Sequence, residues 1–246
     1  MGNDTPLLRV DVGCGSNKKA GCIGIDCQPL ECVDLVVDLT TEKIPLPDRS
    51  AEYIHSSHFF EHIKVPNNVF SEISRIAADG AILEIWTPYA YSDSAFCYGH
   101  EIFVTPEIWR HICVLYPDFY YPIINARWLL KKVVYVVNVD AYDEILKSGF
   151  DIEFAIRYFK GIVDEIGVFI EIRHSKVSST TQPEQFYAFS RFDRKYRPFN
   201  SGENGRHGFL QTQQPINPHR VGLLQKTLHR LQGNKLWSTL KGICDR

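Results

Sequence analysis

The 246-residue chain lacks the features that mark several large classes of protein. No apolar run approaches the roughly 20 residues that span a bilayer. No basic segment followed by an apolar one opens the chain, so we expect no secretory signal. None of the seven cysteines forms a Cys-x-x-Cys pair, which argues against a zinc or redox motif. We therefore expect a cytoplasmic protein with reduced thiols and no metal site.

A strong charge imbalance is also absent, but the net charge of -2 hides an uneven distribution. Residues 201–246 contain seven Lys or Arg against Glu203 and Asp245, a net of +5, so the rest of the chain sums to -7. Composition predicts three parts. They are a globular domain at 1–195, a polar linker at 196–219 and a basic amphipathic helix at 220–246.

The hydrophobic patterns predict strands that alternate with helices. Short apolar segments typical of buried strands lie at 7–13, 21–27, 33–39, 51–57 and 81–88. Helical periodicity occurs at 67–80, at 105–117 before the stop at Pro117, and at 140–150. Segment 127–139 is ambiguous, with a strand favoured after Lys132, and alternation at 151–160 and 167–175 predicts a late antiparallel pair.

This order of elements is typical of an α/β fold. We expect a Rossmann-like, doubly wound and mostly parallel sheet with the late antiparallel strand pair and a C-terminal helical tail. Ligands of such sheets bind outside the carboxyl ends of the strands at the topological switch point. Gly13 and Gly15 follow the first strand and would form the floor of that site, while Asp26 ends the second strand and could accept hydrogen bonds from ribose hydroxyls.

The glycine spacing excludes several nucleotide classes. A dinucleotide fingerprint needs a third glycine and an acid about 20 residues further on. Lys18 occupies the third position here, and Asp26 follows Gly15 by only eleven residues, so no full helix fits between the first two strands. A pyrophosphate would lose the helix N-terminus that anchors it. A Walker loop is absent as well. The pattern therefore favours a nucleoside cofactor without phosphates over a dinucleotide or nucleotide-sugar enzyme.

Four motifs in order resemble class I S-adenosylmethionine-dependent methyltransferases. They are "VDVGCG" (10–15), "IGIDCQP" (23–29), "DLTTEKIPLPDRSAEYIHSSHFFEHI" (38–63) and "VFSEISRIAADGAILEIWTP" (69–88). The resemblance runs over residues 7–88. The segments "YGHEIFVTPEIW" and "FAIRYFKGIVDEIGVFIEIR" are similar to a bacterial subset associated with polysaccharide biosynthesis. The chain departs from the family by its reduced first helix and by Ala78-Asp79-Gly80 where Pro-Gly-Gly is usual.

The resemblance implies S-adenosylmethionine as cofactor and a role for each motif residue. The methionine part would lie over Asp11, Gly13, Cys14 and Gly15, the ribose on Asp26, the adenine near Asp38, and the sulfonium beside Ser57 and His58. Structural alternatives remain open for three of these residues. Asp11 could belong to a turn, Cys14 could be present only because it is small, and Asp38 could cap the segment after its strand.

Methyl transfer to oxygen needs a general base, and histidine suits that role near neutral pH. His100, in the aromatic loop "YAYSDSAFCYGHEIF", is the first candidate, and His58, at a strand end, is the second. His55 within a strand and His111 within a helix are typical of structural histidines. His62 is expected to hold the Phe-Phe-Glu-His turn together.

Two hypotheses from different classes follow. The first is methyl transfer to a small-molecule or glycan acceptor, at oxygen, in polysaccharide biosynthesis. The alternative is a non-catalytic protein of the same fold that binds a glycan-biosynthesis enzyme. No nucleic-acid partner is expected, because "SSHFF" stands where base-modifying amino methyltransferases carry Asn/Asp-Pro-Pro-aromatic. The helix at 220–246 could contact the body, a second subunit or the inner membrane surface.

Overall fold

The computed structural model describes residues 7–175 and 182–199, which fold around one nine-stranded sheet. The strands are β1 (Leu8–Val12), β2 (Ile23–Asp26), β3 (Leu35–Val36), β4 (Ala51–Ser57), β5 (Ala77–Pro88), β6 (Arg127–Val137), β7 (Val163–Arg173), β8 (Glu184–Ala188) and β9 (Arg197–Pro198). Their order is β3-β2-β1-β4-β5-β7-β6-β8-β9. This confirms the predicted Rossmann-like α/β class.

The first five strands are mutually parallel, and β7 lies antiparallel between β5 and β6. The chain runs outward from β1 to β3 and then returns to place β4 on the other side of β1. The switch point therefore lies between the carboxyl ends of β1 and β4, where a ligand cleft is expected.

The helices all follow β4. They are α1 (Asn67–Ile76), α2 (Pro106–Arg110), α3 (Pro117–Ile124), α4 (Val139–Lys147) and α5 (Ile152–Tyr158), with a π-helical turn at His111–Leu115 and short 3-10 turns at Phe60–His62 and Asp93–Phe96. No helix in the described part of the chain is long and apolar enough to cross a bilayer. The segments 13–22, 27–34 and 37–50 connect their strands without a helix, which confirms the reduced first helix.

An aromatic core holds the helical layer against the sheet. Phe60 lies edge-on to Trp109, with ring centroids 5.7 Å apart, and Phe70 packs on Trp128 at 5.0 Å. The Trp128 indole also donates a hydrogen bond to the buried Ser74 hydroxyl of α1. These contacts fix the α1 layer on one face of the sheet.

The other face is covered by extended chain. Trp86 on β5 packs against Phe169 of β7, and Tyr196 lies over both Phe169 and Phe186. The segment that follows β8 thus occupies the place where a doubly wound fold has a second helical layer. On this face, polar side chains of the sheet line a cleft instead of packing under helices.

Several predicted elements need correction. The predicted strand at 151–160 is mostly helix α5 (Ile152–Tyr158), because Asp151 caps it by accepting from the Phe154 N–H and because Glu153 and Arg157 pair one turn apart. The antiparallel pairing therefore joins β7 to β5 and β6. Pro117 begins α3 instead of ending a single helix, since its fixed φ suits the first helical position.

The bounds of three predicted segments also differ from those in the structure. The ambiguous segment 127–139 is strand from Arg127, with an irregularity between Leu130 and Lys132. Helix α1 ends at Ile76, and β5 includes Gly80, where φ is +86°. Strand β9 lies beyond residue 195, so the folded domain extends into the first residues of the predicted linker. The remainder of the linker and the basic helix at 220–246 lie outside the described residues and stay predictions.

Candidate active site

A cleft of about 780 Å³ opens at the switch point between β1 and β4. Its size is within the range of small-molecule sites. The loop after β1 forms one wall, the end of β4 forms another, and β5 with the segment after β8 completes it. The lining residues are Asp11, Gly13, Cys14, Gly15, Ser16, Asn17, Lys19, His55, Ser57, His58, Glu84, Trp86, Arg191, Phe192 and Arg194.

The two motif glycines have different surroundings. Both have positive φ, +67° for Gly13 and +50° for Gly15. A Cβ on Gly13 would lie 2.2 Å from the ring of Phe59, whereas a Cβ on Gly15 would meet nothing within 4 Å. Gly13 therefore permits close packing of the turn after β4, and Gly15 presents bare backbone to the open cleft. Only Gly15 has the free approach that the predicted cofactor role requires.

Asp26 shapes the loop that faces it. Its Oδ2 accepts the Gly15 N–H at 2.8 Å, and its Oδ1 accepts the Gln28 N–H at 3.0 Å. A carboxylate has about four acceptor positions, so two remain for ribose hydroxyls. Asp38 is more remote. It is exposed and accepts from the Thr40 N–H and hydroxyl, which is the capping alternative, and its adenine contact stays a prediction.

Cys14 lies buried beside the cofactor loop. Burial, together with the charges of Asp11 and Asp26, raises the pKa of its thiol to about 12. The thiol is therefore protonated and chemically inert at physiological pH, which favours the interpretation that Cys14 is present as a small packing residue.

Cys14 should accordingly resist alkylation. We expect iodoacetamide at pH 8 to modify the exposed Cys27 and Cys97 while leaving Cys14 unmodified, because the thiolate is the reactive form. Mass spectrometry of tryptic peptides over a time course measures this. Modification of Cys14 at the rate of Cys27 would contradict the burial and charge argument.

Asp11 and His55 form a buried pair on adjacent strands. The two residues are in register between β1 and β4, and Oδ1 of Asp11 lies 2.7 Å from Nδ1 of His55. Oδ2 of Asp11 accepts the Lys19 N–H at 2.6 Å. Because the Asp11 carboxylate can only accept here, Nδ1 of the neutral ring carries the proton and Nε2 keeps its lone pair. No local sequence signal predicts this pair, because Asp11 and His55 lie 44 residues apart in the chain.

Glu84 extends the polar row onto β5. It pairs in register with His55 and is 2% exposed. Its carboxylate accepts from the Trp86 indole at 2.6 Å and from Arg194 at 2.8 Å. Burial opposes its ionisation, but hydrogen bonds from Trp86, Tyr53 and Arg194 hold the pKa of Glu84 below its usual range. The sequence signal for this residue was an acid inside an otherwise apolar strand.

Ser57 ends β4, His58 follows it, and both residues line the cleft, while their place beside the sulfonium stays a prediction. Arg191 donates to the Ser57 hydroxyl at 2.7 Å. His58 has φ of +54°, and its Nδ1 and Nε2 lie 3.2 Å from Glu61 and 3.5 Å from Glu165. Hydrogen bonds to Glu165 and then Glu61 raise the pKa of His58 to about 9. A ring whose two nitrogens both face carboxylates has no lone pair free for a substrate proton.

His100 is not among the residues that line the cleft. Its Nδ1 lies 3.1 Å from the Ala95 carbonyl, and its ring meets that of His62 edge-on at 4.8 Å. His62 in turn contacts the Gly99 carbonyl at 2.9 Å and so fastens its turn to the aromatic loop, in line with its predicted structural role. The structure therefore brings His58 to the cleft, but it does not bring His100 there.

The sheet order and the cleft define a class of protein. A glycine loop after β1, an acid at the end of β2 and an open cleft at the switch point are the features of an α/β domain that binds a nucleoside-type cofactor. The cleft can take such a molecule, because Gly15 leaves open space and Asp26 retains acceptor positions.

Comparisons with known proteins identify the domain. Residues 10–85 match the family model described as a methyltransferase domain. This match and the sheet order support a class I S-adenosylmethionine-dependent methyltransferase domain, with S-adenosylmethionine as its cofactor. No curated protein matches the chain.

Solved structures show distant similarity. A SAM dependent methyltransferase from Archaeoglobus fulgidus is 16% identical over 67% of this chain and 86% of that chain, with a TM-score of 0.46. One from Aquifex aeolicus is 18% identical over 68% and 82%, with a TM-score of 0.38. One from Mesorhizobium loti is 14% identical over 68% and 91%, with a TM-score of 0.39.

Proposed function

We propose that the protein methylates a hydroxyl oxygen of a glycan or similar polar small molecule. The support comes from the part of the cleft beyond the glycine loop. Charged groups of both signs line it, and Phe192, which is 81% exposed, offers an aromatic surface. Hydrogen-bonding groups beside aromatic faces suit a ligand with many hydroxyls. The loop motif at 98–109 supports a place in polysaccharide biosynthesis.

The Asp11–His55 pair is the observation that carries this proposal. When bound, the cofactor supplies a methyl group activated by its positively charged sulfur. The protein must then align the acceptor and remove the hydroxyl proton. His55 lines the cleft with Nδ1 fixed by a buried carboxylate, so Nε2 can take that proton. Asp11 would stabilise the imidazolium that forms, as the orienting acid does in hydrolase triads. His55 therefore replaces His100 and His58 as our candidate base.

Three cations surround the same cleft. Lys19, Arg191 and Arg194 all line it, and Arg191 also pairs with Glu165 at 3.0 Å. Arg191 and Arg194 keep donors beyond their partners Glu165 and Glu84, and guanidinium binds a carboxylate or phosphate group through paired hydrogen bonds. We therefore place acidic sugars and phosphate-linked glycans first among acceptors.

Replacement of Asp26 should abolish cofactor binding. Asp26→Ala removes the ribose acceptors and the anchor of the Gly15 N–H, whereas Asp26→Asn keeps one acceptor oxygen and should bind more weakly than wild type. Saturation at 100 times Kd stabilises by about 2.7 kcal/mol, which is roughly 5–10 °C for a domain of this size. A thermal melt with and without S-adenosylhomocysteine measures this shift.

Asp34→Asn is the matched control for that melt. Asp34 also accepts a backbone N–H, that of Gly24, but it pairs with Lys18 on the exposed side. The control should retain the ligand-induced shift even if its own Tm falls. Equal shifts in Asp26→Ala and wild type would show that the ribose lies elsewhere.

The acceptor is tested by isotope transfer. The protein is incubated with S-adenosylmethionine carrying a ¹³C methyl group and with hexoses, uronic acids, amino sugars and phosphate-linked glycans. Carbon NMR separates O-methyl from N-methyl products, because the O-methyl carbon resonates downfield. Transfer to oxygen supports the proposal, and an N-methyl or C-methyl product contradicts it. Cofactor binding without transfer to any of these acceptors would favour the non-catalytic binding protein.

A further inference from the structure

Three potential ligands to a metal ion converge outside the cleft. Glu61 and His62 belong to the 3-10 turn after β4, and His100 lies in the aromatic loop before α2. One ligand atom from each of the three lies within 4.8 Å of the others. Within residues 7–175 and 182–199, this is the one such group of three or more His, Cys, Asp or Glu side chains.

The tautomers of both histidines are fixed by their surroundings. Nδ1 of His62 lies 2.9 Å from the Gly99 carbonyl, and Nδ1 of His100 lies 3.1 Å from the Ala95 carbonyl. A carbonyl oxygen only accepts, so Nδ1 donates in each ring and Nε2 of the neutral ring keeps its lone pair. Outer hydrogen bonds of this kind orient the histidine ligands of metal sites.

Glu61 is a buried carboxylate that lacks the usual partners. The residue is 1% exposed, its Oε1 has only the ion pair with His58, and its Oε2 accepts no hydrogen bond. Its charged neighbour is His58, whose Nδ1 lies 3.2 Å from Oε1. Burial of a carboxylate is costly unless it is paired or coordinates a metal. The unsatisfied oxygen therefore needs an explanation beyond packing.

We propose that Glu61, His62 and His100 bind a divalent transition-metal ion, with Zn²⁺ favoured. Two imidazole nitrogens and one carboxylate oxygen match the three protein ligands of open zinc sites, where water takes the fourth position. The exposed ring of His62 gives the ion a route from solvent. Zinc ligands stand about 3.4 Å apart in tetrahedral geometry, so the side chains must close by about 1 Å.

The metal ion would take no part in methyl transfer. Its role would be to hold two loops together. The Glu101 and Ile102 N–H groups already donate to the Glu61 carbonyl at 2.7 and 3.2 Å. A metal ion would add a side-chain link between the turn after β4 and the aromatic loop. The proposal goes against our expectation of no metal site, which rested on cysteine spacing alone.

Metal titration of the chelator-treated, tag-free full chain tests the site. We expect calorimetry with Zn²⁺ to give one tight site per chain, and Co²⁺ to give visible absorption of a site with nitrogen and oxygen ligands. His62→Ala and His100→Ala should each weaken Zn²⁺ binding by about tenfold or more, since loss of a ligand exceeds the loss of an outer partner. The exposed His111 provides the control, and His111→Ala should bind as the wild type does.

Three outcomes would overturn the site. They are unchanged Zn²⁺ affinity in both variants, absence of saturable binding in the wild type, and a thiolate-to-cobalt charge-transfer band, which would place the ion on cysteines. If His100→Ala fails to fold, His62→Ala and Glu61→Gln decide the question. Their folded state is first checked by circular dichroism. A folded Glu61→Gln variant that binds Zn²⁺ with wild-type affinity would remove the carboxylate from the site.

Discussion

His55→Gln should lower kcat/KM for methyl transfer by about 10²- to 10⁴-fold, the usual contribution of a general base. Glutamine can still hydrogen-bond Asp11, but it cannot accept a proton at neutral pH. The variant should bind S-adenosylhomocysteine as the wild type does, because the base contacts the acceptor side of the cleft. The loss should appear in kcat, measured with the acceptor found by isotope transfer.

Asp11→Asn separates orientation from proton transfer. An amide at this position can offer its N–H group to Nδ1 and so favour the wrong tautomer of His55, with Nε2 protonated. We expect a loss of activity similar to that of His55→Gln and no further loss in the double variant, because the two residues act as one unit. Activity of His55→Gln within threefold of wild type would exclude this base.

Gly13→Ala is expected to cause the largest loss of stability. The new methyl group would overlap the Phe59 ring, an overpacking cost of about 1–3 kcal/mol, and the positive φ adds about 1–2 kcal/mol. The sum of about 2–5 kcal/mol corresponds to a fall in Tm of roughly 4–20 °C. Thermal unfolding without ligand measures it.

Gly15→Ala is the matched comparison, because its φ is also positive but its Cβ would enter open space. It should lose only about 1–2 kcal/mol and should instead weaken cofactor binding. The double variant Gly13→Ala with Phe59→Ala should recover part of the stability lost through overlap. Equal Tm values for Gly13→Ala and Gly15→Ala would show that the Phe59 ring moves away from the new methyl group without loss of stability.

The meeting of the glycine loop with Asp26 at the cleft could be predicted because its signals are local. The glycine loop and Asp26 lie within a short stretch, and their spacing follows from one strand, one turn and a second strand. The order of elements up to β5 was predictable for the same reason. Periodicity alone predicts a strand at 151–160, but apolar residues at every second position also fit a short helix. Asp151 caps that helix in the structure.

The Asp11–His55 pair and the arginines that line the cleft were not predictable, because they depend on contacts between residues far apart in the chain. Asp11 and His55 meet only once β4 has returned beside β1. Arg191 and Arg194 reach the cleft from a segment without hydrophobic periodicity, and no sequence pattern predicts the strand at Glu184–Ala188. The position of His55 within a strand indicates a structural histidine, because sequence alone does not show a carboxylate on the neighbouring strand.

The extended covering of the Trp86 face has a consequence for synthesis of the chain. During translation the glycine loop emerges early, but Arg191, Phe192 and Arg194 leave the ribosome only after all the other residues that line the cleft. Contacts between such distant segments also form slowly, because a large loop must close first. The nascent domain therefore exposes Trp86 and Phe169 until the last strands arrive. The cleft is therefore completed only at the end of folding, well after the glycine loop has been synthesised.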